Sequence, residues 1–249
     1  MEGAQAVREA LAGDVAVREL FVTATAARRH PDLLDAARTE GVPVVPVTDR
    51  AVESLSDTVT PQGLVAVCDL LDISLTAALA GRPQLVAVLV GVADPGNAGT
   101  VIRVADAAGA GAVLLGGDTV DPHNGKAVRG STGSVFHLPL ARDRDAGAVL
   151  DACRAAGLTL LAADAHGELD LHEPRAATVL AGPTAWVFGG EAHGLPAGLA
   201  ARADHRVRVP LHGRAESLNL ATAAAVCLYA SAAATRNTGS RLQLGSSSP

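Results

Sequence analysis

The stretch DPGNAGTVIRVADAAG, Asp94–Gly109, decides how this chain is read. It follows the apolar run LVAVLVGV, turns at Pro95 and Gly96, and then spaces its apolar residues as a helix does. The pattern predicts a strand over 84–92 running into a helix near 98–109. Asn97 stands where a helix N-cap would, and its plainest role is to accept a backbone N–H. Arg103 is harder to explain as structure. In VIRVA it is one cation among apolar neighbours, placed to reach a polar partner or a phosphate.

Working outward, the alternation of strand and helix continues. Further strands are predicted at 111–116, 158–163, 184–189 and 205–210, with helices near 145–156 and 217–235. Strands so continuously apolar, separated by helices, fit a parallel sheet buried on both faces. Two of them end, like the first, in polar loops that carry glycine. AWVFGG runs into EAHGLP, which sets Glu191 just after Gly189 and Gly190 and ahead of Gly194. Glycines after a strand let the backbone approach a ligand closely. The spacing is not G-x-G-x-x-G and no acidic ribose partner follows, so a dinucleotide is disfavoured. His193 has no second histidine or carboxylate at metal-ligand spacing and reads as a loop surface residue.

HRVRVPL enters the third loop, where Glu216, Ser217 and Asn219 precede a long alanine-rich helix whose N-terminus suits a carboxylate or phosphate. These three are either helix caps or ligand contacts. Three polar loops at one predicted sheet edge favour contacts, because ligands of open α/β sheets bind beyond the carboxyl ends of the strands.

Residues 2–69 form a smaller alternating unit. AQAVREALA, PDLLDAARTEG and RAVESLSD have helical spacing, and ELFVT, VPVVPV and GLVAVCDL are strand-like. LLDISLTAALAGRP reads as a linker with a short helical turn, and the tail from Thr235 loses periodicity and gains Ser and Gly.

Composition narrows the function classes. The 249 residues, 49% of them hydrophobic, suffice for one large or two modest domains. No apolar run approaches the roughly 20 residues that span a bilayer. The acid-bearing N-terminus lacks a signal-peptide core, so a cytoplasmic protein without membrane contact is expected. Cys68, Cys153 and Cys227 are far apart and form no CxxC pair, so no metal site or disulfide framework is indicated and each is expected to be a small buried residue. A net charge of −6 excludes the global basicity of a protein that coats nucleic acid. Any RNA contact must come from local patches, and three stand out: Arg28 and Arg29 with His30, Lys126 with Arg129, and Arg202 to Arg208, each with solvated surface charge as the alternative.

In their order, DPGNAGTVIRVADAAG, WVFGGEAHGLP (Trp186–Pro196) and RVPLHGRAESLNLATAAAV (Arg208–Val226) resemble the three motifs of the SpoU/TrmH family, the SPOUT-superfamily RNA ribose 2′-O-methyltransferases. EGAQAVREAL and TPQGLVAV resemble the first helix and last strand of the ribosomal-protein-L30e-like RNA-binding domain that precedes the catalytic domain in many members. Members usually carry a further helix and strand ahead of this point, where Met1 alone stands here, so the edge of the small domain is expected to be incomplete.

The resemblance implies an α/β chain with an L30e-like domain at 1–70, a linker at 71–83, a SPOUT domain at 84–236 whose parallel sheet carries a trefoil knot, and a disordered tail at 237–249. S-adenosyl-L-methionine would be held by Gly189 and Gly190, by Val209, Pro210 and Leu211, and by Ser217, Leu218 and Asn219, mainly through backbone groups. Asn97, Arg103, Glu191, Ser217 and Asn219 match the catalytic positions. Arg28, Arg29, Lys126 and Arg129 would face RNA, as would Ser131 and Gly133 in HNGKAVRGSTGSVF. A homodimer acting on ribosomal RNA ahead of transfer RNA is implied; a non-catalytic ribosome-assembly factor with the same fold is the alternative.

Overall fold

The computed structural model describes residues 1–245, with side chains through Arg236. The first unit contains α1 (Ala4–Ala12), β1 (Val17–Thr23), α2 (Ala24–Arg29), α3 (Pro31–Thr39), β2 (Val44–Val47), α4 (Asp49–Leu55) and β3 (Leu64–Cys68). Its sheet has the order β2-β1-β3, with β2 parallel and β3 antiparallel to β1. The side chains of Thr23 and Thr48 accept backbone N–H groups at the starts of α2 and α4, the capping chemistry that begins each helix. α1 turns Ala4 and Val7 inward into the core formed with Leu20, Val22 and Leu64 of the sheet.

The second unit runs β4 (Asp72–Ile73), α5 (Leu75–Leu79), β5 (Leu85–Val90), α6 (Pro95–Ala108), β6 (Ala112–Gly116), α7 (Gly125–Ser131), β7 (Leu140–Asp143), α8 (Ala146–Ala155), β8 (Thr159–Ala163), β9 (Leu169–Asp170), α9 (Pro174–Leu180), β10 (Thr184–Gly189), α10 (Ala197–Ala200), β11 (His205–Arg208) and α11 (Leu220–Gly245). Its eight strands are ordered β4-β7-β6-β5-β10-β8-β11-β9, and every pairing is parallel. All six residues of β5 are buried because the sheet is covered on both faces. Leu85, Ala87 and Leu89 face a core shared with α6 and α11, while Val86, Val88 and Val90 face one shared with α8. Trp186 of β10 is fully buried and donates its indole N–H to Ser231 Oγ at 2.9 Å, which fixes α11 on the sheet. Cys153 and Cys227 are buried, and Cys68 is only partly so. Burial lifts the thiols of Cys153 and Cys227 to about 12, so both stay neutral packing groups.

Several elements depart from the sequence reading. β7, β9, α2, α7, α9 and α10 lie outside the elements that the sequence pattern predicts; β9 is too short for a period, and α7 is written in glycines and serine that read as a loop. The stretch 71–83 is more than a linker, since its β4 pairs with β7 as a sheet edge. α6 begins at Pro95, capped by Asp94 rather than Asn97. Of the tail expected at 237–249, the final helix includes residues as far as Gly245, and 246–249 lie outside the described residues. No helix among the described residues is long and apolar enough to cross a membrane.

Candidate active site

The parallel register brings the ends of β5 and β10 side by side, with Gly189 opposite Val90. The loops beyond them touch backbone to backbone. A Cβ at Gly190 would overlap the Gly91 carbonyl oxygen, and one at Gly189 would overlap the Gly194 carbonyl carbon and the Leu195 nitrogen. Glycine is therefore required at both positions by the way the loops pack.

Asp94 caps α6 by accepting from Asn97 N at 2.9 Å, and Pro95 occupies the first helical position. With the cap supplied by Asp94, the Asn97 side chain is free for other partners. Its Nδ2 donates to Glu191 Oε1 at 2.8 Å, and its Oδ1 accepts from Asn219 Nδ2 at 3.1 Å. Asn219 in turn caps α11, its Oδ1 accepting from Ala221 N at 2.9 Å and Thr222 N at 3.3 Å. Two hydrogen bonds, across 94 and 122 positions of sequence, thus tie together one residue from each polar loop. Burial pushes the Glu191 carboxyl up, but the hydrogen bonds from Asn97 and the backbone outweigh it and leave it below the ordinary glutamate range. Glu191 is accordingly an anchoring carboxylate and a weak base.

Beside this cluster lies a cavity of about 400 Å³. Phe188, Val207, Val209, Leu220 and Ala223 give it an apolar wall; Asp164, Glu191, Ser217 and Asn219 supply polar groups. Among the described residues, two carboxylates and no Lys, Arg or His line it. Such a cavity suits a small molecule with an apolar ring and positive charge, and it opposes the pyrophosphate of a dinucleotide.

Arg103 lies on α6, about 9 Å along the axis from Asn97. It is exposed, forms no ion pair among the described residues, and donates from Nη1 to Thr132 Oγ1 at 3.2 Å. α7 packs tightly on this helix: a Cβ at Gly99 would overlap the Ala127 carbonyl oxygen. From α7, Lys126 Nζ donates to Asp94 Oδ2 at 2.7 Å.

Residues 84–229 match the SpoU rRNA Methylase family, more than half of the chain, and residues 1–73 match the RNA 2′-O ribose methyltransferase substrate binding family. The chain belongs to the SpoU rRNA methylase family. Among its relatives is the Bacillus subtilis 23S rRNA (guanosine(2553)-2′-O)-methyltransferase RlmP, 35% identical over 230 residues, which span 92% of this chain and 86% of that protein. The SpoU methyltransferase AviRb of Streptomyces viridochromogenes superposes with a TM-score of 0.82 at 28% identity, over 96% of this chain and 90% of that one. The AdoMet-bound rRNA methyltransferase of Sinorhizobium meliloti superposes with a TM-score of 0.78 at 31% identity, over 93% and 85% of the two chains.

Within this SpoU methylase, the structure places Gly189, Gly190, Val209, Leu211, Ser217, Leu218 and Asn219 around the one cavity, whereas Pro210 is not among its lining residues. Asn97, Glu191 and Asn219 are in direct contact, and Arg103 and Ser217 make no hydrogen bond to them. Arg28 and Arg29 are exposed at the end of α2. Lys126 is held by Asp94, and Arg129 stands 3.8 Å from Glu2. The Arg202–Arg208 patch is largely neutralised: Arg202 pairs with Asp151, Arg206 with Glu168 and Arg208 with Asp170. Sequence reasoning missed Asp94, Thr132 and Asp164. Only the first carried a signal, an Asp directly ahead of a Pro at a helix start.

Proposed function

We propose that this SpoU methylase transfers a methyl group from S-adenosyl-L-methionine to a ribose 2′-hydroxyl of ribosomal RNA, in the cytoplasm, as a homodimer with a trefoil-knotted catalytic unit. The observation that carries the reading is the carboxylate-bearing cavity, without a cation among the described residues that line it, beside the Asn97–Glu191–Asn219 cluster, whose Asn97 shares a helix with Arg103. The residues fit the cofactor. Its ring suits the wall of Phe188, Val207 and Val209, and Glu191 and Asp164 match its positive charges. When bound, it supplies an electrophilic methyl group on a sulfonium. Asn97 and Asn219 lock the three loops into one edge, and Glu191 anchors them as an anion. A guanidinium holds its proton throughout the range in which enzymes work and is no proton acceptor. Arg103 instead orients the RNA phosphate and stabilises the negative charge developing on the 2′-oxygen, whose proton passes to solvent water. Exposed Leu211 and Tyr229 support a second copy covering the third-motif loop and α11.

The test is transfer of labelled methyl from S-adenosylmethionine to unmodified ribosomal RNA by the wild type and Arg103→Lys. The proposal expects kcat to fall at least tenfold in the variant, since a lysine keeps the charge and loses the planar fork. Near-normal turnover would remove the role assigned to Arg103.

A further inference from the structure

The cleft between the N-terminal unit and the catalytic unit holds a second cavity, of about 200 Å³, that shares no lining residue with the first. Thr60 and Gln62 line it from one side, and Arg129 and Thr132 from the other. Its polar groups are unevenly committed. Glu2 is only 8% exposed and each of its oxygens is engaged: Ser56 Oγ donates to one at 2.5 Å, Thr58 Oγ1 to the other at 2.7 Å, and Arg129 Nη1 stands 3.8 Å away. The Gln62 carbonyl oxygen accepts from Ala4 N at 3.1 Å. The Gln62 amide nitrogen and the Thr60 hydroxyl have no hydrogen-bond partner among the described residues.

This inventory selects the occupant. A carboxylate balanced by a single guanidinium gives the cleft no net positive charge, so a phosphate is not drawn in. What remain are neutral amide and hydroxyl groups, the set that reads the edge of a base in single-stranded RNA. Thr132 connects the cleft to the reaction centre, because it lines the cavity while its Oγ1 accepts from Arg103. With φ at 53°, Thr132 is also a non-glycine residue in the left-handed region, a conformation that costs energy and recurs at functional positions.

We propose that this cleft receives one unstacked nucleobase of the RNA, adjacent to the ribose held at Arg103, and reads its hydrogen-bonding edge through Gln62 and Thr60. The proposal rests on the RNA methyltransferase reading above.

Two near-isosteric variants test it. Thr60→Val removes the free hydroxyl. Gln62→Glu keeps the oxygen that accepts from Ala4 and removes the free N–H donors. Each is assayed for methyl transfer to unmodified 23S rRNA transcripts, including a set in which each neighbour of the methylated nucleotide is replaced. Melting and S-adenosylmethionine affinity should match the wild type. The expected result is a roughly tenfold loss of kcat/KM for RNA and a flattened preference at one neighbouring position. For Thr60→Val, which leaves the charge unchanged, the slope of log affinity against log salt should not change, because no phosphate contact is removed. Wild-type kcat/KM and base preference in both variants would overturn the proposal. So would a loss in Thr60→Val that is uniform across RNAs and comes with a shallower salt slope, which is the mark of a phosphate contact. Absence of transfer by the wild-type chain to any ribosomal transcript is a distinct outcome: it would refute the underlying reading, and the cleft assignment with it.

Discussion

Asn97→Asp changes one atom and should disable the three-loop cluster. The wild-type amide donates to Glu191 Oε1 at 2.8 Å, so the variant sets oxygen against oxygen at that separation. Loss of a hydrogen bond to a charged acceptor costs about 1.5 kcal/mol at the low end. Two unit charges 2.8 Å apart repel by about 1.5 kcal/mol even with full water screening. The sum, about 3 kcal/mol, corresponds to a loss of roughly 100-fold in the population of the intact cluster. Asn97→Ala loses this hydrogen bond and the one from Asn219, together about 2.5 kcal/mol, without adding the charge, and should be the somewhat milder change. The two variants should also differ in pH dependence. Repulsion raises the pKa of the new carboxylate pair, so lowering the pH protonates it and relieves the defect of Asn97→Asp alone. The assay is initial-rate methyl transfer to unmodified ribosomal RNA between about pH 5.5 and about pH 8.5, with melting curves to show that all variants fold. An Asn97→Asp enzyme at least as active as Asn97→Ala at every pH would refute the reasoning.

Three further changes probe the surrounding structure. Gly189→Ala drives a Cβ into the Gly194 and Leu195 backbone, where no rotamer change gives relief, and should weaken S-adenosylmethionine binding at least tenfold by calorimetry, at a stability cost of about 1–3 kcal/mol; unaltered affinity would mean that the loop packing does not shape the cavity. Lys126→Met should alter stability by less than about 1 kcal/mol because the ion pair with Asp94 is exposed, and should lower kcat more than RNA affinity; a loss confined to RNA affinity, with a shallower salt slope, would make Lys126 a phosphate contact. His137 lies 2.8 Å from Asp106 Oδ2 and 3.2 Å from Glu9 Oε2, joining α6 to α1; the hydrogen bond to Asp106 raises its pKa above the ordinary 6.5, burial opposes this, and Glu9 adds to it. Because the folded-state value is the higher one, the stabilisation lost in His137→Gln should be full below about pH 6.5 and vanish as pH rises through the elevated value; a difference in urea midpoint that grows with pH would contradict it.

The catalytic sheet was legible because buried parallel strands are written as uninterrupted apolar runs. LVAVLV became β5, which starts one residue later and ends two residues earlier than its expected span, and TAWVFG became β10 over the span expected for it. The polar loops were legible for the same reason, since each breaks such a run. Their mutual contacts were not, because nothing in a single sequence says that β5 and β10 are neighbours while β6 lies on the far side of β5. Asn97 shows the limit at the scale of one residue. Local pattern makes it a cap, and only the structure reveals that Asp94 has taken that role and freed the amide for Glu191. α7 shows a second limit. Gly99 and Gly130 are poor helix formers alone, yet their missing side chains let α6 and α7 approach, so packing overrides propensity. The inter-unit cleft had no sequence signal at all, because its polar groups come from two units distant in the chain.

The central claim is that this edge methylates a ribose in ribosomal RNA, with Arg103 acting on the reacting oxygen. The most direct measurement is mass-spectrometric mapping of the nucleotide that gains a methyl group when unmodified ribosomal RNA is incubated with S-adenosylmethionine and either the wild type or Arg103→Ala. The account predicts a single 2′-O-methylated nucleotide that is absent with the variant. A methyl group on a base, or a ribose product undiminished in Arg103→Ala, would contradict it.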